Sequence, residues 1–290
     1  MVSVHDAFSI LKNSLPEYKE VQYTLLQARN HVLSQAINSP VNMPPFRQSA
    51  MDGFALCLHD TLEYDIIGEV KAGDTHQMTL LPGQAIKIFT GAAVPDSAQA
   101  VIQIEKTSVK EGIVYLQEQP KSGVNVRPIG EQISEGDLAL EKGTLLNAAA
   151  IGFLAGLGFT SVMVYKKPTI GIVITGNELV KPGSTLKYGK VYESNAIMLR
   201  SALNDAYFDA ITLYEVNDDF ENTKNKLHDA LSANDVVLVS GGISVGDYDF
   251  VARALKKLEV ETLFYKVNQK PGKPLFAGKL KDKIVFACSC

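Results

Sequence analysis

The sequence predicts an α/β domain built on a parallel sheet, joined in one chain to a smaller, mostly β domain and to short helical segments. Three observations predict this. Beyond Pro168, buried-looking β runs alternate with helical patterns, the signature of βαβ units. From about Pro40 to Asp137 the texture is instead short β-rich runs separated by Gly, Pro and Asp. Residues 4 to 37 and 147 to 158 carry apolar positions at helical spacing. A chain of 290 residues, 46% hydrophobic, can bury the cores of about two domains.

In order along the chain, Val4, Phe8, Ile10 and Leu11, then Leu25, Leu26, Val32 and Leu33, predict two short helices around Pro16. The runs YDIIGEV, QAIKIFT, AVIQIE and GIVYLQE predict the strands of the β domain. NAAAIGFLAGLG reads as a helix with Asn147 as N-cap and Gly158 as its stop. The α/β part follows as TIGIVIT, SNAIMLRSALNDA, DAITLYEV, DFENTKNKLHDALSA, DVVLVS, FVARALKKL and ETLFYKV. A parallel sheet binds its ligands beyond the carboxyl ends of its strands, so the loops after TIGIVIT, DVVLVS and ETLFYKV are where chemistry is expected.

Charge and cysteine usage narrow the function. With 28 basic and 32 acidic residues and a formal charge of −4, the chain lacks the sustained positive surface of a nucleic-acid binder. Cys57, Cys288 and Cys290 form neither a C-x-x-C pair nor a disulfide framework, which fits a reducing compartment. The N-terminus lacks the apolar core of a signal peptide, and no run approaches the ~20 apolar residues that span a bilayer. A cytoplasmic protein without membrane or nucleic-acid partners is expected.

Each of the three loops carries groups suited to an anionic ligand. Thr175-Gly176-Asn177-Glu178-Leu179 would hold the Glu178 carboxylate at the ligand edge, although a turn acid is an equal alternative. In Ser240-Gly241-Gly242-Ile243-Ser244-Val245-Gly246, glycines permit close backbone approach, and successive N–H groups make a phosphate cradle. Asp247 and Asp249 follow at once. Magnesium often bridges one or two carboxylates to substrate phosphates, and the competing role for this pair is helix capping. Lys270 and Lys273, on a Pro-stiffened segment after Lys266, suit phosphate as point charges, against the alternative of an exposed basic turn. In the β domain, Asp52-Gly53 and Thr90-Gly91 taken alone are a turn and a strand end.

Read together, the segments resemble the molybdopterin molybdenumtransferase family, whose animal relatives include the E domain of gephyrin. Seven ordered motifs carry the resemblance: Ser49 to Ala55, Phe89 to Pro95, Asn125 to Glu131, Thr175 to Leu179, Ser194-Asn195, Ser240 to Gly246, and Lys270 to Pro274. They span nearly the whole chain. The resemblance implies an elongated molecule with a discontinuous helical domain (1–39 and 137–166), a β-rich domain (40–136) and a three-layer α/β molybdopterin-binding domain (167–290). It implies a transferase that inserts molybdate into adenylylated molybdopterin with magnesium-dependent release of AMP. It also implies a homodimer whose site is shared between subunits, with molybdopterin adenylyltransferase and molybdoenzymes as further partners.

By position, Glu178, Asp247 and Asp249 would serve the metal. Glu178, Asp249, Asp52 and Lys270 would be catalytic, while Thr90, Arg127, Ser240, Gly241, Gly242, Ser244, Lys270 and Lys273 would bind the cofactor substrate. Asp52, Thr90 and Arg127 would act from the partner subunit.

The chain departs from the family's pattern at Asn177, where Asp is common, and at Ile129 and Gln132, where a basic residue and an Asp are frequent. It ends Ala287-Cys288-Ser289-Cys290 where the family continues G-L-P-G-N-P, so a form shortened by its C-terminal part is expected. That ending sets a second reading beside the enzyme, a non-catalytic molybdopterin-binding scaffold. A third, the related adenylyltransferase, lacks the β-rich domain that Ser49 to Ala55 and Phe89 to Pro95 belong to.

Overall fold

Ser3 opens the first helix, α1 (Val4–Ser14), with a capping box: its hydroxyl accepts from the Asp6 N–H at 3.0 Å while the Asp6 carboxylate takes the Ser3 N–H and hydroxyl. The structure is a computed structural model and describes residues 1–76, 78–242 and 250–288. The chain parts into two compact units, Met1–Val21 with Tyr165–Cys290, and Gln22–Val164.

The apolar block after Pro16 does not continue as the helix its spacing predicts. Glu20–Thr24 is a strand, Leu25–Ala28 makes a single helical turn, and Asn30 takes a φ of 61° that ends it. Val32 then bridges Leu145 and Leu33 bridges Val164, with Leu33 fully buried. One turn is a costly nucleus, and burial of an extended segment outweighs it.

The unit spanning 22–164 is organised by a six-stranded sheet. Its strands are β1 (Gly53–Leu56), β2 (Glu63–Val70), β3 (Gln84–Ile88), β4 (Ala100–Gln103), β5 (Thr107–Lys110) and β6 (Ile113–Leu116). They lie in the order β4-β1-β3-β2-β6-β5, antiparallel except for β2 beside β3. Side chains alternate between two apolar layers: Ala55, Ile86, Ile88 and Val101 fill one, and Phe54, Leu56, Ala85 and Ile102 the other. The helix α2 (Ala148–Gly156) has the predicted cap: Asn147 accepts from the Ala150 N–H at 2.9 Å, and Gly158, at φ 89°, turns the chain after it.

The α/β unit contains β7 (Ile170–Thr175), α3 (Asn195–Asp205), β8 (Ile211–Val216), α4 (Phe220–Ala233), β9 (Val236–Ser240), α5 (Phe250–Lys257), β10 (Glu261–Tyr265), β11 (Leu275–Leu280) and β12 (Lys283–Cys288). Every residue of β7 is buried, as a strand covered on both faces must be. Val173, Val237, Val239 and Val285 meet Leu227, Leu231, Val251 and Leu255 of α4 and α5. On the other face Ile172 and Ile174 meet Ala196 of α3, and Phe264 and Ala277 meet Ala7 of α1. The sheet is thus packed on both faces.

Strand order is β8-β7-β9-β12-β11-β10, with β8, β7, β9 and β12 parallel. The run ETLFYKV does not extend that parallel set to its neighbour: β10 pairs with β11, which is antiparallel to both β10 and β12. The reason is chain length. The 266–274 connection is shorter than the dozen or so residues a parallel crossover needs, and Lys281-Asp282 closes a hairpin between β11 and β12. Among the described residues no helix is long and apolar enough to cross a membrane.

Candidate functional site

Register brings three loops of the α/β unit to one edge. Ile174 lies opposite Ser240, Ser240 opposite Cys288, and Cys288 opposite Leu275. The loops after β7 and β9 and the loop before β11 therefore open on the carboxyl side of the parallel strands, where such sheets bind ligands. They carry Glu178, the pair Gly241 and Gly242, and the pair Lys270 and Lys273.

The first loop is held from several sides. The Asn177 N–H donates to Asp218 Oδ2 at 3.2 Å, and the Asp218 N–H returns a bond to Asn177 Oδ1 at 3.1 Å. The Lys190 ammonium donates to the Asn177 carbonyl at 2.6 Å, and the Val191 N–H to the Glu178 carbonyl at 2.9 Å. Asn177, the departure from the family's pattern, is here a residue that clasps the loop after β8. The Glu178 side chain folds back over Gly176, where a Cβ would stand 2.9 Å from both carboxylate oxygens. No hydrogen bond or ion pair among the described residues engages that carboxylate.

The glycines after β9 are required by space and by φ. Gly241 has φ 91°, and a Cβ on it would lie 2.5 Å from the Thr175 carbonyl oxygen. Gly242 has φ 66°, and its Cβ would meet Val251 Cγ2 at 2.6 Å. Ser240 is buried, its hydroxyl accepting from Asn195 Nδ2 at 3.0 Å. Ser244, Asp247 and Asp249 lie outside the described residues.

The basic loop is shaped by its own backbone. The Val267 N–H donates to the Lys273 carbonyl at 3.0 Å, the Gln269 side-chain amide to the Gly272 carbonyl at 2.9 Å, and Gly272 takes φ 90°. An open depression of about 590 Å³ is lined by residues 268–274. Lys270 and Lys273 are exposed, and neither forms an ion pair with a described residue. Among the described residues no three His, Cys, Asp or Glu side chains gather to hold a metal ion.

Within the unit spanning 22–164, three motif segments distant in sequence form a second cluster. The Ser49 N–H donates to the Ala92 carbonyl and the Gly91 N–H to the Ser49 carbonyl, both at 2.9 Å, while the Ala50 N–H reaches the Asn125 carbonyl at 3.0 Å. Val126–Arg127 pairs with Gln48–Ser49, which places Arg127 opposite Gln48; Arg127 Nε stands 4.0 Å from Glu131. Arg47 donates to the carbonyls of Pro95, Asp96 and Ala98 and fixes the segment after Thr90. Asp52 Oδ1 accepts from both the N–H and the hydroxyl of Thr90, each at 2.7 Å.

That double acceptance holds the Asp52 carboxyl below its ordinary 3.8, the Thr90 N–H contributing most and the hydroxyl next. A carboxyl whose folded pKa is depressed adds stability above its unfolded value and loses it as pH falls through the lower folded value. Thr90→Val keeps the N–H and removes the hydroxyl. The Asp52 titration, followed by carboxyl-carbon NMR, should then move up part-way toward 3.8; an unmoved titration would show that the hydroxyl contributes nothing.

Comparison with known proteins places this arrangement. Residues 2–158 match the family model described as the MoeA N-terminal region (domain I and II), and residues 171–288 that of a probable molybdopterin binding domain. A β-rich unit and an α/β sheet with these matches define a protein of molybdenum cofactor biosynthesis. A molybdopterin molybdenumtransferase of Haemophilus influenzae is 35% identical over 287 residues, covering 97% of this chain and 71% of that protein. One of Staphylococcus epidermidis is 32% identical over 297 residues, covering 99% and 71%. The crystal structure of the molybdopterin biosynthesis MoeA protein of Pyrococcus horikoshii superposes over 100% of this chain and 74% of that one, with a TM-score of 0.82 and 30% identity. The chain belongs to the MoeA family of molybdopterin molybdenumtransferases. Relatives matched across so much of this chain are enzymes, which weighs against the scaffold reading.

Sequence reasoning left three supporting residues without a role. Asn195 and Thr175 stood in quoted motifs, at a helix start and a strand end, and were findable there. Asp218, on the loop after β8, carried no signal because its partner Asn177 is distant in sequence.

Proposed function

We propose that this chain inserts molybdate into adenylylated molybdopterin, with magnesium-dependent release of AMP. The observation that carries the reading is the meeting, at one sheet edge, of a carboxylate, a two-glycine turn and two lysines, the charged groups having no ion-pair partner among the described residues, in the part that matches a molybdopterin binding domain. Lys270 and Lys273 would hold the adenylate's phosphates as point charges, and Ser240, Gly241, Gly242 and Ser244 would supply its cradle. Asp52, Thr90 and Arg127 would contact the same ligand from the partner in a homodimer, with Asp52, Glu178, Asp249 and Lys270 nearest the reacting groups. Cleavage of a phosphoryl bond asks for charge neutralisation and positioning more than for covalent chemistry, which suits this set.

Glu178, Asp247 and Asp249 would hold magnesium. An all-carboxylate donor set fits a hard divalent cation, and the Glu178 carboxylate is open to one. When bound, the ion would neutralise charge on the phosphates. Adenylyltransferase upstream and molybdoenzymes downstream would be the partners of a cytoplasmic protein working between them.

The test is AMP release from adenylylated molybdopterin by the purified chain. The expected result is release that needs both molybdate and magnesium; no release, or release indifferent to molybdate, would overturn the reading.

A further inference from the structure

Thr175, the last residue of β7, carries a buried hydroxyl without a hydrogen-bond partner among the described residues. The residue is 4% exposed, and its Oγ1 lies directly under the turn after β9: a Cβ on Gly241 would stand 2.8 Å from it, and one on Gly242 2.9 Å. The surface facing the hydroxyl is thus formed by the two Cα atoms of the pair. A buried polar group left unpaired costs free energy, and a valine would fill the same space without that cost. The residues around it are otherwise well satisfied: Ser240 bonds Asn195, and the Gly241 N–H bonds the Cys288 carbonyl at 3.1 Å. Ser34 and Thr223 carry two further buried hydroxyls unpaired among the described residues; that of Thr175 lies against the two-glycine turn, where a bound ligand can bring its partner.

The turn is suited to supply that partner. Both glycines sit at positive φ, 91° and 66°, where the lack of Cβ makes rotation of the peptide between them inexpensive. Such a rotation turns the N–H one way and the carbonyl the other.

We propose that Thr175 is a positioning residue for the oxyanion of the ligand. When a phosphate group seats on the turn, the Gly241–Gly242 peptide rotates, so that its N–H donates to the phosphate and its carbonyl accepts from the Thr175 hydroxyl. The hydroxyl holds the peptide in the orientation that binds the anion, and it is unpaired when the edge is empty. This deepens the function proposed above and rests on it.

Thr175→Val separates the roles, because it should move stability and affinity in opposite directions. The thermal midpoint of the ligand-free variant should rise by about 2 °C or more, as an orphan hydroxyl is removed. The Kd for AMP, measured by calorimetry with magnesium present, should rise about tenfold, the worth of the hydroxyl's bond to a buried peptide carbonyl. Thr175→Ser, which keeps the hydroxyl, should bind AMP within about twofold of the parent. A valine variant that binds AMP like the parent, or one that loses stability as well as affinity, overturns the proposal. If the unsubstituted chain does not bind AMP at all, the function proposed above fails first and this inference falls with it.

Discussion

Gly53→Ala unfolds the unit spanning 22–164. A Cβ at that position would lie 1.8 Å from the Ile102 carbonyl oxygen and 2.8 Å from its carbon, both backbone atoms in β4. No rotamer change relieves such a contact. The strands β1 and β4 must separate, although Gly53 lies opposite Gln103 and Phe54 opposite Ile102 in their ladder. β1 lies between β3 and β4 and is buried along its whole length, so the separation opens both apolar layers. The φ of Gly53 is not positive; the demand is for space alone. Backbone displacement in a core sheet belongs with the mechanisms that cost about 4 kcal/mol or more, a large share of a domain's stability. Urea unfolding followed by far-UV circular dichroism should show the transition of this unit lost or shifted far below that of the parent. An unchanged midpoint would mean that the sheet accommodates a methyl group at this position.

Replacing Lys270 and Lys273 together by Met should abolish binding of the adenylate while leaving the fold intact. Both side chains are exposed, and neither pairs with a described residue, so their removal leaves no buried partner uncompensated. Hydrogen bonds to charged groups contribute about 1.5–3 kcal/mol each, which for two lysines predicts a Kd raised at least about a hundredfold. The salt dependence of binding should flatten with it, since the attraction being screened is gone. The thermal midpoint should stay within a degree or so of the parent. A parental Kd would return the two lysines to an ordinary basic turn.

Much of the α/β unit was legible because a parallel sheet writes itself plainly in sequence. A strand buried on both faces, as β7 is, must be apolar throughout, and the helices must carry a stripe at helical spacing, so β7, α3, α4 and β9 stand where the pattern predicts, as does β8 at the partly exposed edge of the sheet. Motif segments marked the candidate loops for a related reason: glycines that face backbone, as Gly241 faces the Thr175 carbonyl, have no substitute. The block from Leu25 to Leu33 misled because Leu33 is fully buried as an extended residue bridging Val164, and apolar spacing alone does not distinguish that from a helix face. The place of β11 was not legible either, since its reversed direction is set by the short connections on either side of it rather than by composition.

By itself the sequence determined the two kinds of architecture, the family resemblance and the residue types available for chemistry, all of which rest on local periodicity and contiguous motifs. Only the tertiary structure decided which of those residues meet. Ladder register brought Glu178, Gly241 and Lys270 to one edge, a reciprocal pair gave Asn177 to Asp218, and the Ser49, Gly91 and Asn125 segments closed around Asp52 and Thr90. The physical reason is that these contacts join residues far apart in the chain. Their cost in chain entropy is met by burial across the whole sheet, and no short window of sequence contains that balance.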